Sequence, residues 1–320
     1  MSVKKKFKAI IEVFKNAFKG FSEDKVTKLS GSLAYATIFS MAPLLIIIIS
    51  LGSIFLGREA VEGKVSHELV GFVGAKTAVQ IQEIIKNASL AGKSRVAGII
   101  GLVTLIIGAT SVFAEIQDSI NTIWGLKPKP KRGWVLLIKN RFLSFSVIIS
   151  LGFLLLVSLG ISYVIDGFSE RLIQHFPEVT VIVFYIINLL ISFAVISLLF
   201  AVIFKVLPDA EIKWKDVMAG AMATAVLFML GKSGISFYIA KSNVGSTYGA
   251  AGSIVILLLW IYYSAIILYF GAEFTKAWAL KFGTAIYPNH YAVTTKLVEV
   301  EMDDKAVDTN AKEVVKENGK

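Results

Sequence analysis

The chain has 320 residues, of which 55% are hydrophobic and only 18% are charged, and its mean hydropathy is +0.70. This composition excludes a disordered chain, and it departs from soluble domains, in which about 25% of the residues are charged. Cysteine is absent, which excludes a disulfide framework, a thiolate metal site and a thiol nucleophile. The net charge is +10. The charges must therefore be segregated from the apolar stretches of one membrane-embedded body.

Residues 1–28 predict an amphipathic helix that lies in the membrane interface. Aromatic and aliphatic residues recur there at helical spacing with lysines largely between them: Phe7, Ile10, Ile11, Phe14, Phe18 and Phe21 against Lys8, Lys15 and Lys19. Such a helix places its apolar face in lipid and its lysines among the headgroups. The alternative is a soluble helix packed on the cytoplasmic face of the protein itself. The segment lacks a long apolar core, so we do not interpret it as a cleaved signal peptide.

Six runs that are almost free of charged residues predict six transmembrane helices, because about 20 mostly apolar residues are needed to cross a bilayer. The predicted spans are residues 30–56, 96–114, 142–165, 179–204, 217–240 and 249–275. Continuous apolar runs such as residues 44–49 do not alternate as membrane strands do. The predicted fold class is therefore all-α, a polytopic membrane protein with a six-helix transmembrane domain over residues 29–281.

The distribution of Lys and Arg predicts the orientation of these spans. Basic residues concentrate in the N-terminal segment and in the loops that follow the second and fourth spans. Both termini are therefore expected in the cytoplasm. The long external loop 57–95 is nearly neutral and carries less weight. The polar tail, residues 282–320, is predicted to be disordered and cytoplasmic.

Residues that could carry catalysis are scarce in this sequence. The three histidines lie far apart, and the HExxH, GxSxG and GxxxxGK[ST] patterns are absent. We therefore expect no enzyme, no cofactor, no metal and no nucleic-acid partner. The basic surface is explained by the topology and by anionic headgroups at the cytoplasmic face, which attract each nearby Lys or Arg by about 1 kcal/mol.

Polar residues within the spans are better functional candidates, because they are costly in hydrocarbon and usually face a bundle interior or a wet cavity. Lys232 lies well inside the fifth span, where it either holds an anionic group in a cavity or extends to the outer interface. Pro43 lies in the middle of the first span, where it kinks the helix or frees a carbonyl group. The predicted cavity or pathway comprises Tyr35, Pro43, Lys232, Ser236, Tyr238, Trp260 and Glu273.

A second polar group is predicted at the cytoplasmic end of the second span. It consists of Glu115, Asp118 and Asn121. These side chains could form a gate or a proton relay together with Glu273. Alternatively, they form interfacial ion pairs that fix the helix ends, since structural ion pairs also occur at such positions.

Three blocks of the sequence resemble the YihY/BrkB membrane proteins, formerly called ribonuclease BN. The blocks are residues 31–44, residues 115–124, and a longer set made of Leu207-Pro208, Trp214, Gly220-Ala221, residues 248–253, residues 259–262 and Gly271-Ala272-Glu273. The resemblance covers about residues 25–280. It implies a bacterial inner membrane protein with six helices and cytoplasmic termini, and roles in envelope integrity, virulence or serum resistance, or transport connected with envelope lipids. A ribonuclease conflicts with the sequence, because a metal-dependent nuclease needs clustered ligands.

We therefore expect a transporter-like or lipid-handling protein whose cavity is built from the first, fifth and sixth spans and whose partners are membrane lipids, chiefly anionic headgroups. The alternative is a non-transporting membrane scaffold that binds envelope proteins or anionic lipid. Formation of a homo-oligomer is left open by the sequence.

Overall fold

A computed structural model describes residues 3–56, 95–129, 177–241, 252–283, 285–290 and 292–295, with isolated positions at 62, 63, 79 and 82. The described residues form six long helices: α1 (Val3–Glu23), α2 (Val26–Leu56), α3 (Arg95–Ile123), α4 (Pro177–Val206), α5 (Trp214–Lys241) and α6 (Gly252–Phe282). They also form four short strands: β1 (Leu126–Pro128), β2 (Ala210–Glu211), β3 (Tyr287–Pro288) and β4 (Ala292–Thr294). The chain is therefore mainly helical, as the sequence predicts.

Three stretches of the described residues are long and apolar enough to cross a membrane: Ile186–Val206, Trp214–Ile239 and Ile254–Phe282. The predicted spans 30–56 and 96–114 lie inside α2 and α3, and the spans 179–204 and 217–240 lie inside α4 and α5. The sixth span lies inside α6 from residue 252 onward. The predicted span 142–165 and nearly all of the loop 57–95 lie outside the described residues, so six crossings remain a prediction.

Helix α1 packs along the last turns of α6. Its contact face is a stripe of small side chains at helical spacing: Ala9, Val13, Ala17 and Gly20. This stripe meets Phe270, Phe274 and Ala277, and the rings of Phe18 and Phe14 lie 4.8 and 4.9 Å from those of Phe270 and Phe274. The order of these pairs makes the two helices antiparallel. Phe7, Ile11 and Phe18 remain exposed on α1, so packing accounts for one face of the helix, and its contact with lipid stays a prediction.

Helices α5 and α6 are held together by two reciprocal glycine–threonine contacts. Gly220 of α5 faces Thr275 of α6, and Gly271 of α6 faces Thr224 of α5. Each threonine donates its hydroxyl hydrogen to the carbonyl oxygen of the glycine four residues earlier in its own helix, at 2.7 Å in both cases. Both threonine hydroxyl groups are thereby hydrogen-bonded within their own helix. Because the glycines have no side chain, the two helices approach closely at these four residues.

The strands join distant parts of the chain at one end of the helical bundle. β1 pairs with β4 and β2 pairs with β3, both antiparallel. They lie where α3, α4 and α6 end and where α5 begins, and we call this end of the bundle the strand end. Gly125, with φ 67°, makes the turn that leads into β1, and its carbonyl oxygen accepts a hydrogen bond from the Thr295 amide at 2.7 Å.

The predicted disorder of residues 282–320 is wrong for the first part of this segment. α6 continues to Phe282, and the residues that follow form β3 and β4. The polar composition suggested a solvated tail. The strands were missed because they pair with strands more than 70 residues away, and such pairing leaves no local pattern in the sequence. Residues 296–320 lie outside the described residues.

Candidate functional site

A buried aspartate, Asp209, organises the strand end. Its carboxylate is 2% exposed and accepts hydrogen bonds from Gln117 Nε2 at 3.1 Å and from Asn121 Nδ2 at 2.9 Å. The Asp209 amide donates in return to Asn121 Oδ1 at 2.8 Å, and its carbonyl oxygen accepts from the Asn289 amide at 3.0 Å. Four residues from α3, the α4–β2 connection and the β3–β4 segment are thus joined in one network.

Acidic side chains surround this network on α3, beyond the predicted span 96–114. The Asp118 side chain reaches the surface, and its pKa is raised above the ordinary value, first because its carboxyl group is partly withdrawn from water and then because Glu115 and Asp209 place negative charge nearby. The folded state therefore holds this proton more tightly than the unfolded chain does. Stability is lost as the pH rises through the raised pKa.

Lys276 connects α6 with the end of α3 and with the α1–α2 turn. Its Nζ atom donates to the carbonyl oxygen of Ile123, at the last residue of α3, and lies 3.3 Å from Asp24 Oδ2 in the α1–α2 turn. Trp124 Nε1 donates to the Ala272 carbonyl oxygen at 3.1 Å and ties the end of α3 to α6 a second time. A positive charge at the C-terminus of α3 is also favourable for the helix dipole.

Glu273 lies beneath α1. Its side chain is 2% exposed, and its Oε2 atom is 3.8 Å from Lys276 Nζ. Gly20 of α1 lies directly over the carboxyl group, where a Cβ atom would collide with it. The Oε1 atom is buried and has no hydrogen-bond partner among the described residues. A buried carboxyl oxygen without a donor is costly, so Glu273 is a candidate for a functional role.

An open groove of about 280 Å³ runs between α1 and α6 at this position. Its floor contains Glu273, and its sides carry three lysines: Lys19 from α1, and Lys276 and Lys281 from α6. Lys19 lies 3.6 Å from Glu23 and Lys281 lies 2.7 Å from Glu12, and all four of these side chains are well exposed. The groove therefore combines cationic sides with a buried carboxyl group.

The structure separates most of the predicted pathway residues. Tyr35 is 68% exposed on α2, with its ring 4.9 Å from that of Phe39, and Tyr238 is also exposed on α5. Lys232 is half-buried on α5. Trp260 is buried in α6 and packs edge-on against Phe228 at 6.0 Å. The side chains of Pro43 and Ser236 lie outside the described residues, although α2 and α5 continue through both positions.

Of that predicted set, Glu273 lines the groove between α1 and α6. Asn121 is buried against Asp209, whereas Glu115 and Asp118 are more accessible on the same helix. The pathway and gate assignments themselves remain predictions. Within the described part of the chain, His, Asp and Glu form no cluster of three that could hold a metal ion.

Sequence reasoning missed three contributors to these sites: Asp209, Gln117 and Gly20. Asp209 directly follows Leu207-Pro208, in a block that resembles the YihY/BrkB proteins, which was the one signal for it in the sequence. Gly20 continues the Ala9, Val13, Ala17 stripe, whose spacing of four residues signals a close helix contact. Gln117 gave no signal, because its partner lies 92 residues away.

Comparison with known proteins places the chain among bacterial membrane proteins. Residues 17–289 match the family described as "Virulence factor BrkB". A UPF0761 membrane protein of Alteromonas mediterranea is 26% identical over 82% of this chain and 86% of its own length, and one of Tolumonas auensis is 30% identical over 79% and 80%. A longer UPF0761 membrane protein of Ralstonia nicotianae is 26% identical, and the match spans 56% of its length. No solved structure matches. The chain therefore belongs to the YihY/BrkB family of membrane proteins.

Proposed function

We propose that this protein is a six-span bacterial inner membrane protein that handles envelope lipids in a transporter-like manner, with both termini in the cytoplasm and without covalent catalysis. The observation that carries the proposal is Glu273. This carboxyl group is 2% exposed, lies in a helix apolar enough to cross a membrane, and has one oxygen without a hydrogen-bond partner among the described residues. Ionisable groups in such helices are rare and mark substrate or ion pathways.

The surroundings of Glu273 favour a lipid over a small solute. The groove above it is lined by an exposed apolar side chain, Leu280 on α6. Acyl chains could leave the groove along this apolar surface while a headgroup stays between the helices. Exposed lysines along α1, among them Lys8 and Lys15, would attract anionic lipids to the same end of the bundle.

Movement of lipid in vesicles tests this function. Reconstituted protein should accelerate the exchange of a fluorescent phospholipid between leaflets, and Glu273→Gln should slow this exchange about tenfold, because it removes a charge-assisted contact. Lys232→Ala should also slow it if Lys232 lines the same pathway. Glu211→Gln, at an exposed acidic residue outside the groove, is the matched control and should retain full activity. Rates equal to those of empty vesicles for the unmodified protein would refute transport and favour the non-transporting scaffold.

The absence of cysteine allows a direct test of the topology. Single cysteines at Lys5 and Tyr287 should react with a membrane-impermeant maleimide only after spheroplasts are permeabilised, because both positions are expected in the cytoplasm. A cysteine at Glu62, in the predicted external loop, should react in intact spheroplasts. Labelling of Lys5→Cys without permeabilisation would show that the N-terminus is outside, opposite to the predicted orientation. Labelling of Lys5→Cys and Tyr287→Cys from opposite sides would exclude an even number of crossings between them.

A further inference from the structure

The groove between α1 and α6 presents two kinds of groups to a ligand at two depths. At the sides, Lys19 and Lys281 come from different helices, and each pairs with an exposed acidic side chain of α1. Ion pairs of this kind contribute little, so a stronger anion can replace the acidic partners. At the floor lies Glu273, whose Oε1 atom lacks a donor among the described residues.

A phosphate group alone would complete only the upper half of this site. It would satisfy the lysines, yet it would bring a second negative group toward Glu273 and leave Oε1 without a donor. Lys276 already places one positive charge 3.8 Å from Oε2, so the missing element is an N–H donor for Oε1, held a few bonds away from the phosphate. An ammonium group supplies this hydrogen bond together with a positive charge that offsets the phosphate, and charge-assisted hydrogen bonds are about twice as strong as neutral ones.

We propose that this groove binds the phosphoethanolamine headgroup of a phospholipid, with the phosphate at the lysines along its sides and the primary ammonium group at Glu273. The inference rests on the proposed lipid-handling function and names its substrate class. Gly20 has a defined part in this arrangement. Because it has no side chain, α1 lies directly over the carboxyl group, and α1 moves outward when the ammonium group binds.

A series of lipids that differ only in the number of N–H bonds tests this assignment. The full-length protein in detergent is titrated with phosphatidylethanolamine, its N-methyl and N,N-dimethyl derivatives, and phosphatidylcholine, all with the same acyl chains, and with phosphatidylglycerol. Binding should weaken as N–H bonds are removed, so that the affinity for phosphatidylcholine is about tenfold lower than that for phosphatidylethanolamine. Free phosphoethanolamine forms a further arm and should bind far more weakly than the lipid. Equal affinity of the free compound would overturn the assignment to a lipid.

Two sets of variants separate the two halves of the site. Glu273→Gln should reduce the preference for phosphatidylethanolamine over phosphatidylcholine about tenfold, whereas Glu211→Gln, at an exposed acidic residue outside the groove, should keep it. The double variant Lys19→Gln/Lys281→Gln changes two exposed side chains, so it should fold normally. The double variant should lower the binding affinity for every phospholipid about tenfold without changing the order of their affinities. An unchanged preference in a folded Glu273→Gln protein, or unchanged affinities in the double lysine variant, would overturn the proposal.

These measurements also distinguish this inference from the proposed function. If lipid exchange in vesicles depends on Glu273 while the binding affinity does not change with the number of N–H bonds, the headgroup assignment is wrong and the proposed transport is retained. If the N–H preference holds while the protein moves no lipid, transport fails and the groove is a lipid-binding site of a scaffold.

Discussion

Replacing Gly220 by alanine should lower the melting temperature of the purified protein by roughly 5–10 °C, corresponding to about 3 kcal/mol of overpacking. A Cβ atom at this position would overlap Thr275 Oγ1 and lie 2.7 Å from Thr275 Cβ and 3.1 Å from its Cα. Rotation of the threonine cannot remove the contact with its backbone, so α5 and α6 must move apart. Thermal unfolding in detergent, followed by loss of the monodisperse peak in size-exclusion chromatography, measures the effect.

The reciprocal contact allows a rescue experiment. In Gly271→Ala the new methyl group would meet the Thr224 side chain, including Cγ2 at 2.6 Å and Cβ at 2.9 Å. Thr224→Ala removes the hydroxyl and methyl groups, so the double variant should recover much of the lost stability. Gly234→Ala on α5 is the control, because no described atom lies within 4 Å of the position that its Cβ atom would take; it should be neutral or stabilising by up to about 1 kcal/mol. A Gly220→Ala protein as stable as Gly234→Ala would contradict the close contact.

Replacing Asp209 by alanine should destabilise the protein by about 3–5 kcal/mol. The substitution leaves the amide groups of Gln117 and Asn121 buried without their shared acceptor, and each unsatisfied group costs about 1–3 kcal/mol. Asp209→Asn keeps one carbonyl oxygen and should fall between the wild type and the alanine variant.

Thermal unfolding of the same preparations provides the measurement, with Glu211→Ala as the matched control. Glu211 is an exposed acidic residue two positions further along the chain, and its loss should change stability by less than about 0.5 kcal/mol. Equal melting temperatures for Asp209→Ala and Glu211→Ala would mean that the buried network contributes nothing to stability.

The helices of this protein could be predicted from the sequence, but their ends and their contacts could not. Apolar runs locate α2, α4 and α5 within a few residues, because the hydrocarbon requirement is a property of each segment alone. At the charged ends the prediction was too short. α3 continues from the predicted limit at residue 114 to Ile123, since acidic residues end a membrane span without ending a helix.

The candidate sites were less predictable, because they depend on pairs of residues that lie far apart in the chain. Glu273 was selected as a charge in an apolar segment, which is a local property. The position of Glu273 under Gly20 is not a local property, because it depends on how α1 folds back along α6. The Asp209 network joins residues 88 and 92 positions apart, and a single sequence gives no register for such contacts.

The pairing of the strands also has a consequence for the order of assembly during synthesis. Lys129 donates to the carbonyl oxygen of His290, 161 residues further along the chain, and β1 pairs with β4 beside this contact. Helices that enter a bilayer form individually and associate afterwards, and contacts of such long sequence separation form late. While the ribosome is still translating α4 and α5, β1 has no partner. The strand end can close only after α6 has emerged, so the last stretch of the described chain completes a structure whose first half was made far earlier.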